Sequence, residues 1–367
     1  MINRRHFLQV TCASLMMPTH AFAKPSPWMP DEGHPHQATL MAWIANRNIW
    51  TTRQAKQLEK ELLTLAHTIA EYEPVFLLVR PKDLKRLQRL LAQQPSDGIQ
   101  VIPTPMDDLW LRDTGPIIVQ QDGTQMGVDF NFNGWGNKQT HRNDRNVANH
   151  VTQHLGLPTF SSELVMEGGS IEVDGQGTAI LTESSVLNNN RNPGWSKSQV
   201  EAELARCLGI SHCIWLPGIR NRDITDAHID FYARFVAPGQ VLVAIENDRS
   251  HYDYAITRQN QALLEQAKDA EGRSLSVHTL ANPETFNTTY GNEYFAPGYL
   301  GFYLVNGAMI MQKFGDKKAD ALAQETLKAL FPNRQIQAIA TDALASGGGT
   351  IHCATQQIPQ LALSRKA

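Results

Sequence analysis

Cys353 follows three glycines, Gly347, Gly348 and Gly349, and stands beside His352 in the stretch SGGGTIHCATQQIP near the C-terminus. A cysteine thiolate is a strong nucleophile, and glycines just upstream permit backbone conformations and ligand approaches that a Cβ would block. If the segment is a strand, neighbouring side chains point to opposite faces, so His352 does not serve as the base for Cys353. The acid/base group must then come from elsewhere in the fold. The plain alternative is a cysteine used as a small core hydrophobe beside a surface or hydrogen-bonded histidine.

DITDAHIDFYARF supplies another histidine. In an extended run Asp226, His228 and Asp230 share one face, and carboxylates flanking an imidazole orient it and favour its cation. That suits a proton shuttle near neutral pH. A metal reading lacks a second histidine nearby. Two further acids stand before glycine or proline: Asp113 in DDLWLRDTGP, after Trp110, and Glu167 in VMEGGS. Each alone has the look of a turn residue. Together with Asp230 they offer three carboxylates to one planar cation, and a guanidinium has five N–H donors in a fixed fork to meet them.

These groups must be positioned by a mixed α/β chain. RQAKQLEKELLTLAHTI, DLKRLQRLLAQQ, SQVEAELARCLG and KADALAQETLKALFP carry apolar residues at helical spacing, and VFLLV is a short buried strand. Four hairpins are predicted at PIIVQQDGTQMGVDF, SIEVDGQGTAILT, FYARFVAPGQVLVAI and GFYLVNGAMIMQ, each turning at a glycine. The polar clusters WLRDTG, MEGG and TDAHID stand immediately before three of them, and Asn306 sits at the turn of the fourth. This order suggests a loosely repeated unit whose members each send polar groups to one shared place. No Pro/Ser-rich linker divides the chain after position 30, so residues 24–367 are expected to form a single catalytic domain.

The chain has 367 residues, 42% of them hydrophobic and 19% charged, with a net charge of −3. That balance argues against disorder, nucleic-acid binding and membrane-surface binding. Residues 1–23 have a basic start at Arg4 and Arg5, an apolar stretch and Ala21-Phe22-Ala23, the pattern of a secretory signal peptide. NRRHFLQ also resembles a twin-arginine export signal, and the route is left open. Export to the periplasm or medium is expected, with no membrane attachment after cleavage. Cys207, Cys213 and Cys353 stay in the mature chain, where Cys207 and Cys213 either pair or are simply buried. The sequence is compatible with a homo-oligomer.

The blocks MPDEGHPHQATLMAW, WLRDTGP, FNFNGWG, MEGGSIEVDG, LNNNRNPGWSK, TDAHIDFYARFV, YLGFYLVNGAMIMQKFGD and GGGTIHCATQQIP resemble, in order, the agmatine deiminase and bacterial peptidylarginine deiminase family, from Trp28 to Pro359. The resemblance implies the pentein fold, a five-bladed α/β propeller with pseudo-fivefold symmetry and its active site at the central axis. It implies Cys353 as nucleophile and His228 as general acid/base. Asp113, Glu167 and Asp230 would hold the guanidinium, with Trp110, Gly348 and Gly349 lining the pocket. The implied reaction hydrolyses a guanidino group of a small cationic substrate to a ureido group and ammonia, with no metal and no organic cofactor.

The chain departs from the family in places. Ile224 stands where agmatine deiminases have an acid before the catalytic histidine, Ala227 where they have glycine, and Gly33 where a tryptophan is common. Agmatine is the first expected substrate. The runner-up is arginine at the C-terminus of a peptide, whose carboxylate Arg220 or Arg222 would hold. A third reading is an exported binding protein for guanidino compounds, although binding alone does not call for Cys353, His228 and the glycine triplet together.

Overall fold

The predicted hairpins all form, and each gains a third strand from beyond a crossover. In the computed structural model, which describes residues 26–361, β4 (Ile117–Gln121) pairs antiparallel with β5 (Thr124–Asp129), which pairs parallel with β6 (Thr159–Ser161). The same antiparallel-then-parallel order recurs in β7 (Ile171–Val173), β8 (Thr178–Thr182) and β9 (His212–Leu216). It recurs again in β10 (Ala233–Ala237), β11 (Gln240–Ile245) and β12 (Ser276–Ala281), and in β13 (Tyr303–Val305), β14 (Ala308–Lys313) and β15 (Gln335–Ala340). At the first hairpin both turn residues, Asp122 and Gly123, have positive φ (53° and 75°), the geometry that matches the twist of the flanking strands.

A fifth sheet joins the two ends of the chain. β16 (Thr355–Pro359) pairs antiparallel with β1 (His36–Ala42), and β2 (Val75–Val79) and β3 (Ile99–Pro103) follow in parallel. Its antiparallel pair repeats the hairpin of the other units without a connecting turn. The helix Thr52–Ala70 is fixed at its start by a capping box between Thr51 and Gln54 and packs Leu58, Leu62, Leu65 and Ile69 into the largest apolar cluster. Trp43, Trp110, Ile351 and Cys353 belong to that same cluster, so the cysteine is anchored to the main core. The signal-peptide and twin-arginine expectations fall on residues outside the described ones. Among the described residues no helix is long and apolar enough to cross a membrane.

Two local expectations are corrected. His352 and Cys353 lie on a helical turn, Ile351–Ala354, not on a strand. Asp226 to Asp230 is not extended either: Asp226 and Ala227 have φ of 64° and 69°, and a tight turn follows over Ile229–Phe231. The reason is Asp223, whose carboxylate accepts the backbone N–H groups of Thr225 and Ala227 and curls the loop. Asp226 is thereby turned away from the face that carries His228 and Asp230. The alternative of a Cys207–Cys213 bridge is also excluded, since both thiols are free.

Candidate active site

The predicted residues arrive from four different units. Asp113 sits on the short helix Leu111–Thr114 before β4, and before β7 Glu167 precedes the tight turn Gly168–Ser170 that contains Gly169. His228 and Asp230 occupy the turn before β10, and Cys353 the turn before β16. All five of the side chains with titratable groups are buried. The clusters preceding three hairpins thus converge, as their repeated position suggested. Asn306 does not join them. Its side-chain amide is bonded to both backbone groups of His36, which ties the β13–β14 turn to β1.

His228 lies between two acids, with Nε2 3.2 Å from Glu167 Oε2 and Nδ1 3.8 Å from Asp113 Oδ1. Trp135 Nε1 donates to Asp113 Oδ2 (2.9 Å) and the Gly169 N–H to Oδ1 (3.0 Å), which fixes that carboxylate. Cys353 Sγ is 3.7 Å from Asp230 Oδ2 and 3.4 Å from Thr350 Oγ1. Asp230 Oδ1 is buried without a hydrogen-bond partner among the described residues. Gly169 forms the floor between these groups. A Cβ there would stand 2.7 Å from His228 Nδ1, 2.9 Å from Asp113 Oδ1 and 3.1 Å from Asp230 Oδ2.

The glycine triplet is explained by two tryptophans and one backbone angle. A Cβ on Gly347 would overlap the Trp50 ring, and one on Gly349 the Trp110 ring. Gly348 has a φ of 86°, where side chains other than glycine are strained. Trp50 and Trp110 have ring centroids 6.1 Å apart, and Trp50 Nε1 donates to Asp108. The triplet lets the chain pass close against this aromatic wall and turn into the helix that carries Cys353.

Burial is the largest influence on every acid here, and the neighbours decide the outcome. Burial pushes the Asp113 carboxyl up, with Glu167 and Asp230 adding to the rise while His228 opposes it. At Glu167 burial is outweighed by Arg191 and His228, which hold it below the usual range. Asp230 is likewise lowered against burial, by His352 and then His228 and Arg234. Burial disfavours a charged His228, but Asp113, Glu167 and Asp230 together push it up to about 9. The Cys353 thiol is held well above its ordinary range by burial, then by Asp230 and Asp113. The protein by itself therefore presents a protonated imidazole and a neutral thiol around a surplus of carboxylate. That arrangement can receive a planar cation and transfer a proton to a leaving nitrogen.

Glu32 and Arg191 were not singled out by residue type, although both lie inside the blocks MPDEGHPHQATLMAW and LNNNRNPGWSK. Arg191, in the NRNPG turn, donates through Nε to both oxygens of Glu167 (2.8 and 2.9 Å) and through Nη1 to Asp226 (2.8 Å), which Lys138 also meets at 2.7 Å. Glu32 accepts Arg112 at 2.9 Å and Arg234 at 2.8 Å. His352, set aside as a base, bonds Asp230 through Nδ1 at 2.8 Å and meets Glu32 through Nε2 at 2.9 Å. Arg220 and Arg222 are exposed and engaged elsewhere, with the Leu187 carbonyl and the Tyr252 ring. Ile224 is half-buried against the apolar cluster that holds Trp110. No group of histidine, cysteine, aspartate or glutamate among the described residues is arranged to hold a metal ion.

Comparison with known proteins agrees with this geometry. Residues 28–359 match the family described as Porphyromonas-type peptidyl-arginine deiminase. A candidate agmatine deiminase of Legionella pneumophila (strain Philadelphia 1) is 36% identical over 91% of this chain and 95% of its own. One from Selenomonas ruminantium is 34% identical over 91% and 96%. The solved agmatine deiminase of Enterococcus faecalis superposes with a TM-score of 0.85 at 29% identity, over 92% of this chain and 97% of that one. A candidate arginine deiminase from Porphyromonas gingivalis superposes with a TM-score of 0.81 at 27% identity, over 91% and 98%. The fold is the pentein α/β fold implied by the sequence blocks.

Proposed function

From a chain that belongs to the Porphyromonas-type peptidyl-arginine deiminase family, we infer a hydrolase of amidine C–N bonds that converts agmatine and water to N-carbamoylputrescine and ammonia. The observation that carries this reading is the buried ring of Asp113, Glu167, His228 and Asp230 around Gly169, with Cys353 Sγ 3.7 Å from Asp230. The five sheets are taken as five blades about a central axis, with the site on that axis. Residues 24–367 are taken as one catalytic domain exported by the segment 1–23.

A guanidinium carbon is a poor electrophile because resonance spreads its charge, so the nucleophile must be a thiolate. The Cys353 thiol is neutral in the free protein. A bound cation about 4 Å away contributes roughly 4 kcal/mol at an effective dielectric near 20, equivalent to about three pKa units. Substrate binding therefore drives ionisation. Asp230 and Asp113 receive the guanidinium N–H donors, and Trp110 lines the pocket beside Gly348 and Gly349. Glu167 is already held by Arg191 and contributes chiefly through His228.

Cys353 adds to the guanidinium carbon to form a tetrahedral adduct. Protonated His228 gives its proton to the departing amine, the C–N bond breaks, and ammonia leaves an amidino-thioether. Neutral His228 then takes a proton from water, whose oxygen adds to the same carbon. As the C–S bond breaks, the hydroxyl proton of that adduct passes to the departing sulfur, releasing the ureido product and restoring the neutral thiol.

Incubation with agmatine, free arginine and a C-terminal-arginine peptide, followed by ammonia and ureido assays, tests the reading. Turnover of agmatine alone supports it. Turnover of the peptide alone favours the peptidylarginine reading, and binding without turnover favours a binding protein. Cys353→Ser should bind agmatine without turning it over, and retained turnover would sink the mechanism. Ultraviolet thiolate absorbance should rise when wild-type protein binds a non-hydrolysable guanidinium ligand, and an unchanged signal would remove the ionisation step.

A further inference from the structure

His352 is held in an unusual position for a histidine that does no chemistry. Its Nδ1 is 2.8 Å from Asp230 Oδ2 and its Nε2 is 2.9 Å from Glu32 Oε2, and the ring is buried. Glu32 also takes Arg112 on Oε2, and Arg234 and the Leu304 N–H on Oε1, so it acts only as an acceptor. An ionised carboxylate on each ring nitrogen requires an N–H on each, which makes the ring an imidazolium. Around Asp230 the charged and titratable groups are His352 and Cys353 on the C-terminal turn, His228 on its own segment, Arg234 on β10, and Asp113. Around His352 they are Glu32 and Asp230, with Arg112 bonded to its carbonyl and Glu172 bonded to Arg234 behind.

Asp230 Oδ2 faces both His352 and the thiol, and Oδ1 has no hydrogen-bond partner among the described residues. We propose that His352 is a positioning residue for the deiminase reaction: doubly protonated, it clamps the Oδ2 edge of Asp230 and thereby aims Oδ1 at the substrate guanidinium. Two consequences follow for the chemistry. Asp230 stays ionised despite complete burial, ready for the cation. The fixed positive charge behind it also offsets part of the carboxylate surplus that opposes thiolate formation at Cys353. Adjacency in sequence thus serves orientation and charge balance, not proton abstraction. The reaction role rests on the function proposed above, but the protonation state does not.

The test has two arms. Ring 15N NMR of the wild-type protein at neutral pH should show both His352 nitrogens protonated; a bare nitrogen overturns the proposal whether or not agmatine is a substrate. In the second arm, Asn at 352 places its Nδ2 donor where Nδ1 stood, and Gln places its donor where Nε2 stood. His352→Gln should lower kcat/KM roughly 100-fold, as expected for losing a buried bond to a charged group, and His352→Asn should recover about tenfold of that. Both variants remove the cation, so the acid limb of the kcat/KM profile, set by Asp230, should move up by about one pH unit. Equal losses in the two variants with an unmoved acid limb would mean a purely structural role and refute the proposal. Should neither variant fold, the wild-type ring spectrum decides alone.

Discussion

Gly169→Ala is the sharpest probe of the site, because one methyl group meets three of its members. The backbone of Gly169 does not lie in the left-handed region, so alanine brings no conformational strain of its own. The new Cβ would stand 2.7 Å from His228 Nδ1 and 2.9 Å from Asp113 Oδ1. Ordinary contact begins near about 3.5 Å, so these atoms must retreat by roughly 0.8 and 0.6 Å. Neither is free to do so: Asp113 is held by Trp135 and the Gly169 N–H, and His228 by Glu167. Overpacking of this kind costs about 1–3 kcal/mol of stability. A misplacement approaching ~1 Å costs about 100-fold in rate, so kcat/KM should fall between ten- and a hundredfold in protein that is still folded. The assay is steady-state ureido formation beside denaturant unfolding of the same sample. Wild-type kcat/KM, or a loss no larger than the unfolded fraction, would refute the convergence of these groups.

Arg191→Gln removes the buried guanidinium that Glu167 and Asp226 share, leaving them His228 and Lys138, and should destabilise the protein by about 3 kcal/mol in denaturant unfolding; a loss below about 1 kcal/mol would contradict that view. His228 is raised from 6.5 to about 9, so its stabilisation is complete below its unfolded pKa and disappears as pH rises through about 9. Wild type should therefore lose roughly 3 kcal/mol more than His228→Gln between those two pH values, and parallel stability curves would speak against it. Burial pushes Cys207 and Cys213 each up to about 12. Mapped alkylation of the native protein at neutral pH should leave both unmodified, and labelling of either at the rate of a free cysteine would show the site to be open.

The helices and hairpins were legible because their signals are local. Leu58, Leu62, Leu65 and Ile69 repeat at helical spacing, and Asp122-Gly123 sets its turn from two adjacent residues. The cluster of Asp113, Glu167, His228, Asp230 and Cys353 was also readable, because each stands just before a strand of a recurring unit and the blocks around it are distinctive. The turn at Asp226 to Asp230, where alternation suggests an extended run, is invisible to periodicity. Asp223 bends the loop through backbone bonds, and alternation of residue types carries no trace of that.

By itself, then, the sequence determined most of the secondary elements and singled out Cys353 and the acids that surround it. The tertiary structure alone decided their charge states and partners. Pairing of β16 with β1 brings residues more than three hundred positions apart into one sheet, which no local pattern encodes. Burial then makes each carboxylate depend on its neighbours: Arg191 and His228 for Glu167, and His352, His228 and Arg234 for Asp230. In water these charges would be nearly independent. In the interior their interactions are strong and set by distances that only the folded chain fixes.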